Sequence, residues 1–476
     1  MTSSPETLSA VRQKCTTPPL LVFFACAAAV TLLWNGYSYF TSENWNAIRV
    51  APALMLNAGV TPYPGPLEGP VTTWVYGPVP LLWMMPASLG TDPASIMLTA
   101  DALNVLLTLI PIALSAFLTP SLHEASGRER LFAAAIMVLC WPWHNLYFFQ
   151  ADNAALMFGV CANLILVRGK VPVWGSWLAA TLTALSLWSK QNELGLVLGQ
   201  IVFCVLRTDP RTAFLYTMRL IGAGAILGVV FALWTGAVGL YFNMFALPAA
   251  FPLAAWNKFF RPTFWPYAVL YILIPLAALG SAIVKRKRLD AAWLLPALIF
   301  GFSLPFGALG FLNLGGSVNS LHAYAYLVPA TAVCILRWCQ TNQKTTVLTF
   351  GIITALVLVG FTLDVPRRWH PRTQGLRQGM ALAKQFPQAV YFPWNPLISW
   401  CAEHRFDHAE DGLVVRTRAG FPLPTRVTRA HLPPAMSTVA YQGIVNEGGI
   451  LQLAPPDAQR TKIGEWTLIS WKLPGR

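Results

Sequence analysis

Residues 172–206 read PVWGSWLAATLTALSLWSKQNELGLVLGQIVFCVL. Two apolar runs, 172–189 and 192–206, are separated by the tip Ser189-Lys190-Gln191-Asn192-Glu193. Runs of this length approach the span of a bilayer's hydrocarbon core, and in lipid only a helix satisfies its own backbone, so the stretch reads as a tight helical hairpin. The pattern recurs along the chain. Of its 476 residues 55% are hydrophobic and 11% charged, with 19 Trp and 27 Phe, whereas soluble chains carry about 25% charged residues. This composition excludes a disordered chain, a collagen-like chain and a disulfide scaffold, and identifies a polytopic α-helical membrane protein.

The formal net charge of +14 is compatible with a nucleic-acid binder, but its distribution is not. With the N-terminus inside, 15 Lys and Arg precede or connect apolar runs on the cytoplasmic side, and four (Arg49, Lys190, Lys258, Arg261) face outward. That is the positive-inside bias of an inserted protein. The remaining 14 lie after Asp364, in a polar tail that seven acids leave at +7. Of eight cysteines only Cys401 falls in the tail, so the tail has no internal disulfide, and no Cys or His pair has zinc-ligand spacing.

Eleven spans are predicted, at 19–40, 97–119, 132–148, 153–168, 172–189, 192–206, 220–242, 265–284, 292–312, 321–338 and 345–363. An odd number puts the tail outside. Residues 1–364 are thus a membrane module, and 365–476 a small extracytoplasmic α+β domain, with an amphipathic helix at 374–386 and strands at 389–392, 412–417 and 466–471. Residues 42–96 form a long first outward loop: a helix over 43–58, a Pro- and Gly-rich turn, and an interfacial segment over 75–90 that is too short to span.

Ionisable groups near a bilayer are costly, so those at outward helix ends are the candidates for chemistry. Glu43 opens the first outward helix, as a catalytic carboxylate or as a first-turn acid capped by Ser42. Asp152, in Gln150-Ala151-Asp152-Asn153, sits between spans 3 and 4, with helix capping as its plainer role. Lys190 sits at the hairpin tip, to hold an anionic headgroup, to pair with Glu193 or to snorkel. Asn319 and His322 open span 10, where a lone His is more often structural. All reach one outward face. Two carboxylates beside a cation suit transfer from a lipid phosphate: one takes the acceptor proton while Lys190, with His322 or Arg261, stabilises the leaving phosphate.

Four short pieces resemble the GT-C superfamily of integral-membrane glycosyltransferases, the class of protein O-mannosyltransferases and aminoarabinose transferases. They are the acid after span 1 with Gly59-Val60-Thr61-Pro62-Tyr63, Val75-Tyr76-Gly77-Pro78, Gln150-Ala151-Asp152-Asn153, and Leu187-Trp188-Ser189-Lys190-Gln191. A looser match runs from Asn319 to Pro329. The resemblance implies an inverting transferase of a bacterial inner membrane, taking a sugar from a polyprenyl-phosphate carrier on the non-cytoplasmic face. It implies Glu43 and Asp152 as catalytic acids, and Lys190, Arg261, His322, Asn319, Tyr63 and Tyr76 around the substrate and carrier phosphate. It leaves open which acid is the base and whether a divalent metal takes part. A flippase of lipid-linked saccharides is the alternative, but such a transporter needs ionisable groups near the midplane, and Asp101, only a turn inside span 2, is the deepest acid.

The charge asymmetry is directly testable. A reporter fused at residue 476 should be extracytoplasmic and one inserted at 287 cytoplasmic; a cytoplasmic signal from the tail fusion would overturn the eleven-span topology.

Overall fold

A computed structural model describes residues 22–30, 44–119, 125–141, 149–168, 171–253, 259, 269–273, 276, 279–280, 291–313, 316, 318–341, 373–442, 445 and 450–471. Glu43, Arg261 and most of the spans expected at 19–40, 265–284 and 345–363 lie outside these residues, as does the expected boundary at 364. After the helical residues 22–30 come α1 (Asn44–Asn57), α2 (Val79–Met84) with a 3-10 turn over Met85–Leu89, α3 (Pro93–Leu118), α4 (Gly127–Cys140) and α5 (Ala151–Leu166). Then follow α6 (Val173–Leu187), α7 (Leu194–Arg207), α8 (Pro210–Thr235), α9 (Ala291–Leu312), a 3-10 segment Val318–Tyr326, and α10 (Val328–Thr341).

Among the described residues three helices are long and apolar enough to cross a membrane: Pro93–Leu118, Pro210–Thr235 and Trp293–Leu312. The pair Asn319–Tyr326 and Val328–Arg337, bent by 58°, makes a fourth if it counts as one span. Helices α5 and α6 are shorter, of 16 and 15 residues, or about 24 and 22 Å at 1.5 Å per residue. The expected first-loop helix is α1, and the interfacial segment is α2 with its 3-10 turn.

Local chemistry sets the ends of these helices. Asp92 caps α3, accepting from Ala94 N at 2.9 Å and Ser95 N at 3.2 Å, with Pro93 in the first turn; this outward acid thus has a structural task. Ser126 and Glu129 form a reciprocal cap on α4, and Glu129 also accepts from Arg337 Nε at 2.7 Å, fastening α4 to α10. Inside the bundle, Gly195 and Gly199 of α7 lie against the backbones of Ser303 and Ile299 of α9, where an added Cβ would come within 2.4 and 2.7 Å. Small residues permit that approach. A buried amide and hydroxyl network joins four helices: Gln200 donates to Asn163 at 2.9 Å and accepts from Tyr216 at 2.7 Å and Thr183 at 2.8 Å.

Residues 373–471 form an α/β unit: α11 (Thr373–Gln385), β1 (Val390–Tyr391), α12 (Pro396–Glu403), α13 (Glu410–Arg418), α14 (Thr425–Ala430), β2 (Thr438–Gln442), β3 (Gln459–Ile463) and β4 (Trp466–Ser470). The sheet order is β1-β2-β4-β3, with β1 parallel to β2 and both pairs to β4 antiparallel; Val439 stands opposite Ile469. Helix α11 and strands β1 and β4 fall where expected. The strand expected at 412–417 is instead α13. Its Val414-Val415 pair reads as strand, but Glu410 and Asp411 in the first turn and Arg416 and Arg418 in the last complement the helix dipole.

This unit clamps the loop between α1 and α2. Arg416, 1% exposed, donates through Nη1 to Gly65 O at 3.1 Å and Pro66 O at 3.2 Å, and through Nη2 to Pro64 O at 3.0 Å, with its guanidinium 4.8 Å from the Phe242 ring. Burial draws Arg416 down to about 10, so it stays charged at neutral pH. The neighbouring Val71 N–H donates to His408 Nδ1 at 2.9 Å. Burial lowers His408 to about 4, which keeps that nitrogen an acceptor. Ala409 N completes the clamp by donating to Val71 O at 2.8 Å.

Candidate active site

Three element ends meet at the candidate site: the first turn of α5, the tip between α6 and α7, and the 3-10 segment before α10. At the first, Gln150 N-caps α5 and Asp152 lies in the first turn, so Asp152 is not the cap. Its carboxylate is held where the dipole favours an anion. Asn153 donates to Asn104 of α3 at 2.9 Å and accepts from Trp141 Nε1 at 3.4 Å, which fixes this turn against α3 and α4. At the second, Ser186 Oγ donates to Ala155 O at 2.8 Å, tying α6 to α5 just before the tip.

Lys190 Nζ pairs with Asp152 Oδ1, and both side chains are buried, at 4% and 0% exposure. The same carboxylate faces His322 Nδ1 at 2.9 Å and accepts from Asn319 Nδ2 at 3.1 Å through Oδ2. His322 Nε2 meets Glu193 Oε1, and Nδ1 also lies 3.0 Å from Asn319 O. Both ring nitrogens therefore face acceptors, which holds His322 as the doubly protonated imidazolium. Two carboxylates and two cations make a quartet of balanced charge. A buried charge is tolerated only when paired and hydrogen-bonded in this way.

The sequence-predicted residues divide accordingly. Asp152, Lys190, His322 and Asn319 come together. The partner of Lys190 is Asp152, while Glu193, an acid three residues from Lys190 that was read only as its alternative partner, takes His322. Tyr76 lies within electrostatic reach of Lys190. The Tyr63 hydroxyl is 1% exposed with its residue and donates to Tyr76 O at 3.0 Å, so it braces the loop. Glu43 and Arg261 lie outside the described residues. Among the described residues no group of three or more His, Cys, Asp and Glu side chains is placed to hold a metal ion, and Asp152 faces Lys190, His322 and Asn319 instead.

The first loop is moulded onto the tip. Gly77 N donates to Ser189 O at 3.3 Å, and a Cβ on Gly77 would come within 1.6 Å of Trp188 O, so this contact requires glycine. Gln191 Nε2 donates to Val75 O and Met244 O, each at 3.0 Å. The Tyr-Gly and Lys-Gln dipeptides that carried the resemblance are thus the two halves of one interface.

The architecture can be compared with solved structures. ArnT from Cupriavidus metallidurans, crystallised with bound undecaprenyl phosphate, superposes with a TM-score of 0.59 over 95% of this chain and 98% of its own, at 11% identity. The chain shares the fold of that protein. No protein-family model matches the sequence, nor does any curated protein. At this identity the likeness concerns architecture alone, in agreement with the fold that the short motifs implied.

A double-mutant cycle tests the pairing. Lys190→Met and Asp152→Asn should each lower stability in detergent by about 3–5 kcal/mol, since each strands a buried charge. The double variant should lose less than the sum by about 1–3 kcal/mol. Additive losses would mean that the two side chains do not pair.

Proposed function

We propose that the protein is an inverting glycosyltransferase that moves a sugar from a polyprenyl-phosphate carrier to an acceptor on the non-cytoplasmic face of the membrane. The observation that carries this reading is the buried Asp152–Lys190–His322–Glu193 quartet, at converging helix ends of a GT-C type fold. An integral-membrane setting, eleven spans with the N-terminus inside, and a separate extracytoplasmic domain from 365 onward belong to the same reading.

In the reaction an acceptor hydroxyl gives its proton to a carboxylate, its oxygen bonds to the anomeric carbon, and the bond from that carbon to the carrier phosphate breaks, its electron pair leaving on the phosphate. Attack opposite the leaving group inverts the anomeric centre. The base must have a free lone pair. Asp152 has both oxygens engaged by cationic and amide donors, which makes it a weak base and suits it to positioning Lys190 and His322. The role of base therefore goes to Glu43, on the longer outward loop. Lys190, through ammonium hydrogens that Asp152 does not use, and Arg261 meet the carrier phosphate; His322 and Asn319 hold the floor of the site. Tyr63 and Tyr76 shape its wall.

General-base assistance contributes about 10²- to 10⁴-fold, so Glu43→Gln should abolish sugar transfer by purified protein while carrier binding persists. Asp152→Asn should give a smaller loss of turnover together with lowered stability. Near-normal turnover by Glu43→Gln beside inactive Asp152→Asn would reverse the assignment. Full turnover by both would remove both carboxylates from the reaction, and wild-type protein that transfers no sugar would remove the transferase reading and favour a flippase of lipid-linked saccharides.

A further inference from the structure

The quartet leaves a question of charge. An anionic phosphate that approached it would meet two cations already matched by two carboxylates, with no net attraction. A second cation stands beside the site under different conditions. Arg49, on α1, donates through Nη1 to Gln150 Oε1 at 2.7 Å and to Phe149 O at 3.2 Å. Both acceptors are neutral, and they immediately precede the turn that carries Asp152. Arg49 Nε is buried without a hydrogen-bond partner. Among the described residues no carboxylate lies within 4 Å of this guanidinium.

Aromatic faces surround it. The guanidinium carbon lies 5.6 Å from the Trp45 ring and 6.0 Å from the Tyr76 ring. Both rings are partly exposed, and Tyr76 is the residue within reach of Lys190. Trp394, from the C-terminal α/β unit, packs edge-on against Trp45 with centroids 5.3 Å apart. Asp411 of α13, beyond salt-bridge distance, feels the pull of Arg49 and Arg418, yet burial pushes it up to about 6. It is thus still largely ionised at neutral pH and acts on Arg49 from beyond 4 Å. A partly exposed guanidinium with neutral acceptors and flanking π faces suits an oxyanion, and the rings suit the apolar face of a sugar.

We propose that Arg49 is the anchor for the phosphate of a sugar-phosphate ligand beside the quartet, with Trp45 and Tyr76 as the wall for the sugar and Trp394 of the C-terminal unit holding Trp45 in place. The proposal rests on the transferase reading and deepens it: Lys190 makes a short-range contact, whereas Arg49 supplies a positive charge that no carboxylate among the described residues contacts within 4 Å. The same chemistry serves two sources, the carrier phosphate of the donor and a phosphate on the acceptor.

The test uses the full chain purified in detergent, with undecaprenyl phosphate, undecaprenol and glucose 1-phosphate as probes and thermal unfolding as the control for folding. Loss of a charge-assisted contact should weaken undecaprenyl phosphate binding by Arg49→Gln about ten- to hundredfold, leave undecaprenol unchanged, and be largely restored in Arg49→Lys, which keeps the charge. If Arg49→Gln spares undecaprenyl phosphate but abolishes competition by glucose 1-phosphate, the anchored anion is the acceptor's, and the assignment of Arg49 stands. Wild-type binding of undecaprenyl phosphate that Arg49→Gln leaves intact, with glucose 1-phosphate competition also intact, overturns the role of Arg49 while the transferase reading survives. Wild-type protein that prefers undecaprenyl phosphate no more than undecaprenol removes the transferase reading, and the proposal with it.

Discussion

Burying the Lys190 ammonium is possible only because Asp152 meets it, and much of the surrounding structure follows from that pair. Two isolated charges in a low-dielectric interior cost several kcal/mol each, so each needs a partner and further hydrogen bonds. Asn319 and His322 supply those bonds to Asp152, and Glu193 in turn supplies a charge for His322. The consequence is geometric: the first turn of α5, the α6–α7 tip and the segment before α10 cannot separate without exposing or stranding a charge. Such a cluster is weak as a source of net stability and strong as a specification of one arrangement.

Around this floor the walls are held mostly by backbone carbonyls. The loop over residues 61–77 buries Tyr63, Val71 and Trp74, and its irregular backbone is held by donors from outside it. Thr61 donates to Thr235 O, Asn243 to Pro64 O, and Arg416 to three consecutive carbonyls. The C-terminal unit is therefore part of the architecture that shapes this loop. Through Trp394 and Asp411 it also reaches the surroundings of Arg49.

Much of this was legible in the sequence because the signals were local. Apolar runs between polar tips located the helices, and acids and bases at outward helix ends identified Asp152, Lys190, Asn319 and His322 before any contact was known. What was not legible depended on pairing at long range. The spacing of Lys190 and Glu193 suggested that they pair with each other, yet the tip turns Lys190 toward α5 and Glu193 toward His322, a partner 129 positions away. The segment 412–417 read as a strand because its valines outweighed the terminal charges that favour a helix. Arg49, counted among the four outward bases, was given no role for the opposite reason. Its sequence neighbours are unremarkable, and its significance comes from Tyr76, Gln150 and Trp394, which the fold alone brings near.

The most direct test of the account is mass analysis of membrane lipids and envelope glycans from cells that lack the protein, complemented with wild-type or Glu43→Gln protein. Sugar transfer from a lipid carrier predicts that a polyprenyl-phosphate sugar accumulates on the outer leaflet, that the same sugar disappears from an envelope lipid, glycan or protein, and that only the wild-type protein reverses both changes. A lipid-linked saccharide confined to the cytoplasmic leaflet, or pools and glycans that do not change, would contradict it.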